Sequence, residues 1–188
     1  ERSVDVLAGL TGLSLANTSQ HLKRLRAAGL VQSRKEGKLL ICRLSDDSVI
    51  DLLSALRRTS ERHVAEIENV VSSYFRKRDS MEPVSQQELI KRLKDGAITV
   101  LDVRPEDEFN TAHIPGAINI PVKQLSKRLS ELPPDQEVIA YCRGAYCVFA
   151  FEAVSTLRKM GFTARRLDEG YPEWKAAGLP VEGNAIAS

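Results

Sequence analysis

The hydrophobic pattern changes its period near residues 76–83, and that break constrains the fold more than any other feature of the chain. Before it, Val49, Leu52, Leu53, Leu56, Val64, Ile67, Val70, Val71, Tyr74 and Phe75 recur at helical spacing for many turns. After it, short apolar runs alternate with helical stretches, the pattern of successive βα units. The break reads Arg-Lys-Arg-Asp-Ser and then Met-Glu-Pro, polar residues followed by a proline, which suits a linker. A chain of 188 residues has room for two small cores, so two domains are expected, over 1–78 and 84–183.

In the first part, Val4, Val6, Leu7 and Leu10 suit a short helix over 3–11, and Gly12 supplies a turn. Ser14 is placed to cap a second helix, in which Ala16, His21, Leu22, Leu25 and Ala28 keep helical spacing up to Gly29. Two strands follow, over 30–35 and 39–44, with a turn at Glu36-Gly37-Lys38. A long helix is then expected from Asp46 or Asp47 to about residue 77, and so long an apolar stripe wants a partner helix.

Net charge is only +2, so the whole chain announces no nucleic-acid binder. Its distribution is more informative. Up to Leu44 the bases Arg2, Lys23, Arg24, Arg26, Arg34, Lys35, Lys38 and Arg43 face only Glu1, Asp5 and Glu36. Positive charge on a second helix and a hairpin suits phosphate neutralisation along a duplex, and small polar side chains at the helix start suit base edges.

The stretch Ser14-Leu-Ala-Asn-Thr-Ser-Gln-His-Leu-Lys-Arg-Leu-Arg-Ala-Ala-Gly-Leu-Val31 closely resembles the recognition helix of the ArsR family of winged-helix repressors. The resemblance implies a mainly α winged helix-turn-helix with a β-hairpin wing and a long dimer helix, acting as a homodimer on double-stranded DNA. It assigns Ser14, Asn17, Thr18 and Gln20 to the major groove and Ser19, His21, Lys23 and Arg24 to the backbone. Arg34, Lys35 and Lys38 fall on the wing. The family pattern normally begins with one or two helices ahead of Ser3, and this chain, which starts at Glu1, is read as lacking them.

Many ArsR members sense metals. No cysteine precedes Cys42, so a thiolate site ahead of the recognition helix is absent, and Asp51, His63 and Glu66 on the long helix read as surface residues. No metal is assigned. Cys42, on a strand between apolar neighbours, reads as a small buried hydrophobe.

Beyond the break, helices are expected over 85–94, 122–132, 147–161 and 171–177, and strands over 99–103, 117–120, 138–141 and 164–167. Four separated segments then stand in order: Val100-Leu-Asp-Val-Arg-Pro-Glu-Asp-Glu-Phe109, His113-Ile-Pro-Gly-Ala-Ile-Asn-Ile-Pro121, Ala140-Tyr-Cys-Arg-Gly-Ala-Tyr-Cys147 and Leu167-Asp-Glu-Gly-Tyr-Pro-Glu-Trp174. Together they resemble the rhodanese domain over 84–183, which implies an α/β domain with a largely parallel sheet. Cys142 follows a strand and precedes a helix. A tight loop there aims backbone N–H groups at its sulfur and lowers the thiolate pKa, and the helix N-terminus adds positive potential.

In rhodaneses the cysteine takes up a sulfane sulfur as a persulfide and releases it to a thiophilic acceptor such as cyanide or a thiol. The resemblance makes Cys142 the carrier, Gly144, Ala145 and Tyr146 with their neighbours its cradle, and Arg143 a cation near the incoming donor. The partners implied are a sulfane-sulfur donor and a thiol acceptor, with no cofactor. The common loop ends in arginine where this chain has Cys147, which predicts weak thiosulfate turnover. Cys147 is either a resolving thiol for Cys142 or a residue that simply packs at the helix start. Asp102, Arg104 and His113 are expected to brace loop and sheet, and Trp174 to lie in the core.

Three cysteines make no disulfide framework, there is no charged-then-apolar leader, and no apolar run is long enough to span a bilayer, so a reducing cytoplasmic setting without a membrane is expected. The leading expectation is a transcription regulator that carries or senses sulfane sulfur. The alternatives are a sulfurtransferase whose helical segment serves for dimerisation or docking, and an inert rhodanese fold.

Overall fold

Serine caps open the first two helices. The Ser3 hydroxyl accepts the Val6 N–H at the head of α1 (Val4–Thr11), and the Ser14 hydroxyl accepts the Asn17 N–H at the head of α2 (Leu15–Ala27). Gly12 ends α1 in the left-handed region at φ 68°, and Gly29 turns the chain out of α2 at φ 76°. These positions come from a computed structural model, which describes residues 1–64, 66 and 83–183.

Three antiparallel strands accompany the helices: β1 (Arg2–Ser3), β2 (Val31–Glu36) and β3 (Leu39–Leu44), in the order β1-β3-β2 with Ser33 opposite Cys42. Gly37, at φ 58°, makes the tight turn between β2 and β3. Strand β1 was not expected, because two residues are too few to show alternation. Helix α3 covers Ser48–His63. Its expected continuation to about residue 77, and the linker proper, lie outside the described residues.

The chain divides into two compact units, Glu1–Leu53 and Ser54–Ser188. The core of the first is small: Val4, Val31 and Cys42 are buried, with Leu7 and Leu22 packed against them.

In the second unit four parallel strands, β4 (Ile98–Asp102), β5 (Ile118–Asn119), β6 (Glu137–Tyr141) and β7 (Ala164–Arg166), run in the order β5-β4-β6-β7. The helices are α4 (Gln86–Lys94), α5 (Glu106–Thr111), α6 (Val148–Lys159) and α7 (Tyr171–Ala176). A parallel sheet is covered on both faces, and the alternation along β6 shows how. Val138, Ala140 and Cys142 enter one core with Leu101, Val103 and, from α6, Ala150, Ala153, Val154 and Leu157. Ile139 and Tyr141 enter the other with Val84, Leu89 and Trp174. Each fully buried Leu or Val is worth roughly 1.5–3 kcal/mol, so both cores together hold β6 firmly up to the residue before Cys142.

Two expectations need correction. The helix expected over 122–132 is instead two short 3₁₀ turns, Leu125–Lys127 and Leu129–Glu131. Leu125 and Leu132 are still buried, but Pro133 and Pro134 disfavour α geometry at the segment's end and the bonds close as i→i+3, for example Arg128 N–H to the Leu125 carbonyl at 3.1 Å. Conversely α5, only six residues after Pro105, carries no periodic signal and was not expected.

Candidate functional site

Strand β6 delivers Cys142 directly from its last residue, and Cys142 is buried at 1% exposure. Its carbonyl accepts the Tyr171 N–H at 2.9 Å, which ties the loop's first residue to the start of α7. The Gly144 carbonyl accepts the Cys147 N–H at 3.0 Å and closes a turn within the loop. Gly144 has φ +151°, a conformation that side-chain-bearing residues rarely adopt. Beneath it lies Gly170: a Cβ there would fall 2.1 Å from the Gly144 nitrogen and 2.6 Å from the Cys142 carbonyl oxygen. The loop therefore rests on bare backbone.

Cys147 is the N-cap residue of α6, and no side-chain bond caps that helix. The two sulfurs meet: Cys142 and Cys147 form a disulfide with their Cα atoms 6.2 Å apart, an ordinary span for such a bridge. Both cysteines also pack in the α6-side core.

The other loop side chains point to partners remote in sequence. Arg143 forms a fork with Glu108 of α5, its Nε 3.0 Å from Oε1 and its Nη2 2.5 Å from the same oxygen. This hydrogen bonding holds the guanidinium above its usual pKa range. The Tyr146 hydroxyl donates to the Glu61 carboxylate within the second unit, and Arg57 lies 5.7 Å from the Tyr146 ring centroid. Partial burial, then the bond to Glu61, push the Tyr146 phenol up to about 12.

Bracing comes from a buried pair. Arg104 Nε lies 3.0 Å from each Asp102 oxygen and Nη2 2.6 Å from Oδ2, and Nη2 also donates to the Ala112 carbonyl at 2.8 Å. The same guanidinium sits 4.3 Å above the Tyr171 ring. Asn119 donates to the carbonyls of Asp102 and Arg104 at 3.0 Å each, and Tyr141 accepts the Ile114 N–H at 3.1 Å. Burial pushes the Tyr141 phenol far above its ordinary range. His113 stacks on Phe109 and bonds its carbonyl at 2.8 Å. These groups satisfy one another and hold β4, β6 and α7 in place. Trp174 is buried, with Nε1 donating to the Pro180 carbonyl at 2.7 Å.

In the first unit Ser14, Asn17, Ser19, Gln20, His21, Lys23 and Arg24 are exposed along α2, and Arg34, Lys35 and Lys38 are exposed on the hairpin. Thr18 is the exception. It is 5% exposed, one of the inward positions of α2 four residues before Leu22, so its hydroxyl is turned away from the surface its neighbours share. Arg34 is paired with Glu1 and Glu36, so acids already answer part of its charge. Asp51, His63 and Glu66 are exposed.

Glu108, Gly170 and Glu173 belong to the site but were not singled out from sequence. Glu108 is 35 residues from Arg143, and nothing local marks it among the three successive acids Glu106, Asp107 and Glu108. Glu173 accepts the Gly170 N–H at 3.0 Å and holds that glycine under the loop.

A short helix, a second and basic helix and an antiparallel hairpin, joined in one chain to a parallel sheet whose central strand ends in a cysteine loop, define a helix-turn-helix regulator with a rhodanese-like domain. Residues 85–177 match the rhodanese-like domain, and residues 1–33 match the bacterial regulatory protein family arsR. The chain is 39% identical over 185 residues to the HTH-type transcriptional regulator Rv0324 of Mycobacterium tuberculosis, covering 98% of this chain and 81% of that protein. It belongs to the arsR-type transcription regulators that carry a rhodanese-like domain. The second part alone is 29% identical over 100 residues to a sulfurtransferase of Allochromatium vinosum, covering 52% of this chain and 92% of that one. The BH2092 protein of Bacillus halodurans has a similar structure, with TM-score 0.50 and 30% identity over 54% of this chain and 76% of that one. No helix among the described residues is long and apolar enough to cross a membrane.

Proposed function

We propose that this chain is a DNA-binding regulator, acting as a homodimer over domains 1–78 and 84–183, whose rhodanese-like domain takes up sulfane sulfur on Cys142 and resolves it through Cys147. The observation that carries the reading is the pairing of those two sulfurs at the mouth of β6. The Cys142 thiolate attacks the outer sulfur of a persulfide donor and expels the donor thiolate, leaving Cys142 as a persulfide. The Cys147 thiolate then attacks the inner Cys142 sulfur, hydrosulfide leaves, and the disulfide closes. The sulfane sulfur is the oxidant and is reduced to hydrogen sulfide. Two external thiols return the pair to its reduced form.

On the DNA side, the exposed polar face Ser14, Asn17 and Gln20 suits base edges, and Ser19, His21, Lys23, Arg24, Lys35 and Lys38 suit phosphates. Leu52, Leu53 and Leu56 lie exposed along α3, an apolar surface that supports a partner helix from a second copy. The test is binding of an operator library by the full chain, reduced and then treated with an alkyl persulfide, with mass spectrometry of Cys142 and Cys147 on the same samples. A sulfur-dependent change in specific affinity, accompanied by added sulfur or loss of two hydrogens, supports the reading. Unchanged affinity with modified cysteines removes the regulatory link.

The likeness of the second part to a sulfurtransferase favours a second reading, turnover of sulfur with the helical segment used for docking. Sustained thiocyanate production from thiosulfate and cyanide, with no sequence-specific DNA binding, would establish it.

A further inference from the structure

The loop from Cys142 to Cys147 contains a single cation, Arg143, and the structure shows it already engaged. Glu108 takes the guanidinium edge on, through Nε and Nη2 together, and the first turn of α5 adds Glu106 and Asp107 beside it. The Glu108 side chain is 22% exposed and that of Arg143 45%, so the pair forms part of the loop's rim. Elsewhere around the loop, Glu173 sits 3.3 Å from where a Gly144 Cβ would lie, and Glu61 receives the Tyr146 hydroxyl. Arg57, which faces Tyr146, is in turn paired with Glu169 at 3.5 Å. Among the described residues, Arg143 and Arg57 thus each face a carboxylate, and Glu173 adds a further acid.

Charge at such a rim sorts sulfur donors. A dianion must find uncompensated positive charge to dwell beside a thiolate, since two negative groups otherwise approach each other directly. A donor with at most one charge on a small alkyl group meets much less opposition. We infer that Glu108 is a specificity-determining residue: by neutralising Arg143 it turns the Cys142 site away from doubly charged inorganic donors such as thiosulfate and toward alkyl persulfides. The inference rests on the reading of Cys142 as a sulfur acceptor, and it names the class of donor.

The test is the rate at which reduced full-length protein loads sulfur on Cys142, followed by mass spectrometry, with thiosulfate and with 2-hydroxyethyl persulfide as donors. The wild-type chain loads faster from the persulfide. Glu108→Gln frees the guanidinium and raises the thiosulfate-to-persulfide rate ratio about tenfold, the scale of one charge-assisted hydrogen bond. That gain disappears in Glu108→Gln combined with Arg143→Gln, which separates released charge from a disturbed loop. An unchanged ratio in Glu108→Gln, or a gain that survives removal of Arg143, overturns the inference while leaving the carrier role of Cys142 standing. Loading by neither donor overturns the carrier reading and this inference with it.

Discussion

Arg104 turns back over two residues to grip Asp102 through both carboxylate oxygens, and neither side chain is more than 4% exposed. Asp102 ends β4 opposite Tyr141, the residue that precedes Cys142, so the pair fixes the strand end from which the sulfur loop departs. Removing one partner strands a buried charge at a cost of about 3–5 kcal/mol. Asp102→Ala should therefore lower the urea midpoint of the second unit strongly. Asp102→Leu with Arg104→Met, which removes both charges, should be less destabilising than either single change.

Gly170 predicts a second effect. Even one methyl group there would meet the Gly144 nitrogen at 2.1 Å, and the obstacle is backbone rather than a movable side chain. Gly170→Ala should cost about 1–3 kcal/mol, as overpacking does. It should also slow alkylation of reduced Cys142 by shifting the loop, where an exposed glycine such as Gly9 in α1, with ordinary backbone and nothing near its Cβ position, leaves that rate unaffected by Ala.

Cys147→Ser separates uptake from resolution. With no second thiol, Cys142 should retain added sulfur after persulfide treatment, read as a mass gain of about one sulfur atom, whereas the wild-type chain should lose about two hydrogens. Cys142→Ser should show neither.

The phenol of Tyr146 offers a pH test. Its pKa is raised from 10.0 to about 12, chiefly by burial and then by the bond to Glu61. The folded chain holds that proton more tightly than the unfolded one, so the contribution is complete below about pH 10 and is lost as pH climbs toward 12. Absorbance titration of tyrosinate, wild type minus Tyr146→Phe, should place this group's midpoint well above an ordinary tyrosine.

On α2, Lys23→Ala should weaken binding to all duplexes alike and reduce the magnitude of the salt slope by about 1. Asn17→Ala should instead relax preference at one base pair. Thr18→Val, at a buried position, should leave base preference as it was.

The difference between Thr18 and Asn17 shows where sequence reading stops. Both are small polar residues at the head of a basic helix, and composition treats them alike. Only the phase of the helix against Leu22 and the hairpin decides which faces inward. The second unit was legible in most of its elements, because parallel strands buried on both faces are nearly continuous apolar runs and four motifs stood in order. The segment over 122–132 misled because 3₁₀ turns can bury leucines at much the same spacing as an α-helix. The partners of the loop were not legible at all. Glu108 and Gly170 act through three-dimensional proximity to Arg143 and Gly144, and no local pattern encodes that.

Cys42 sits at 5% exposure between β1 and β2, away from both loop cysteines in sequence and buried in the core of the first unit. In the disulfide form it is the one free thiol, so a thiol-labelling assay has a built-in standard. Denaturant without reductant exposes one thiol per chain and so calibrates protein concentration, and the label added once reductant follows counts the Cys142–Cys147 pair in the same cuvette.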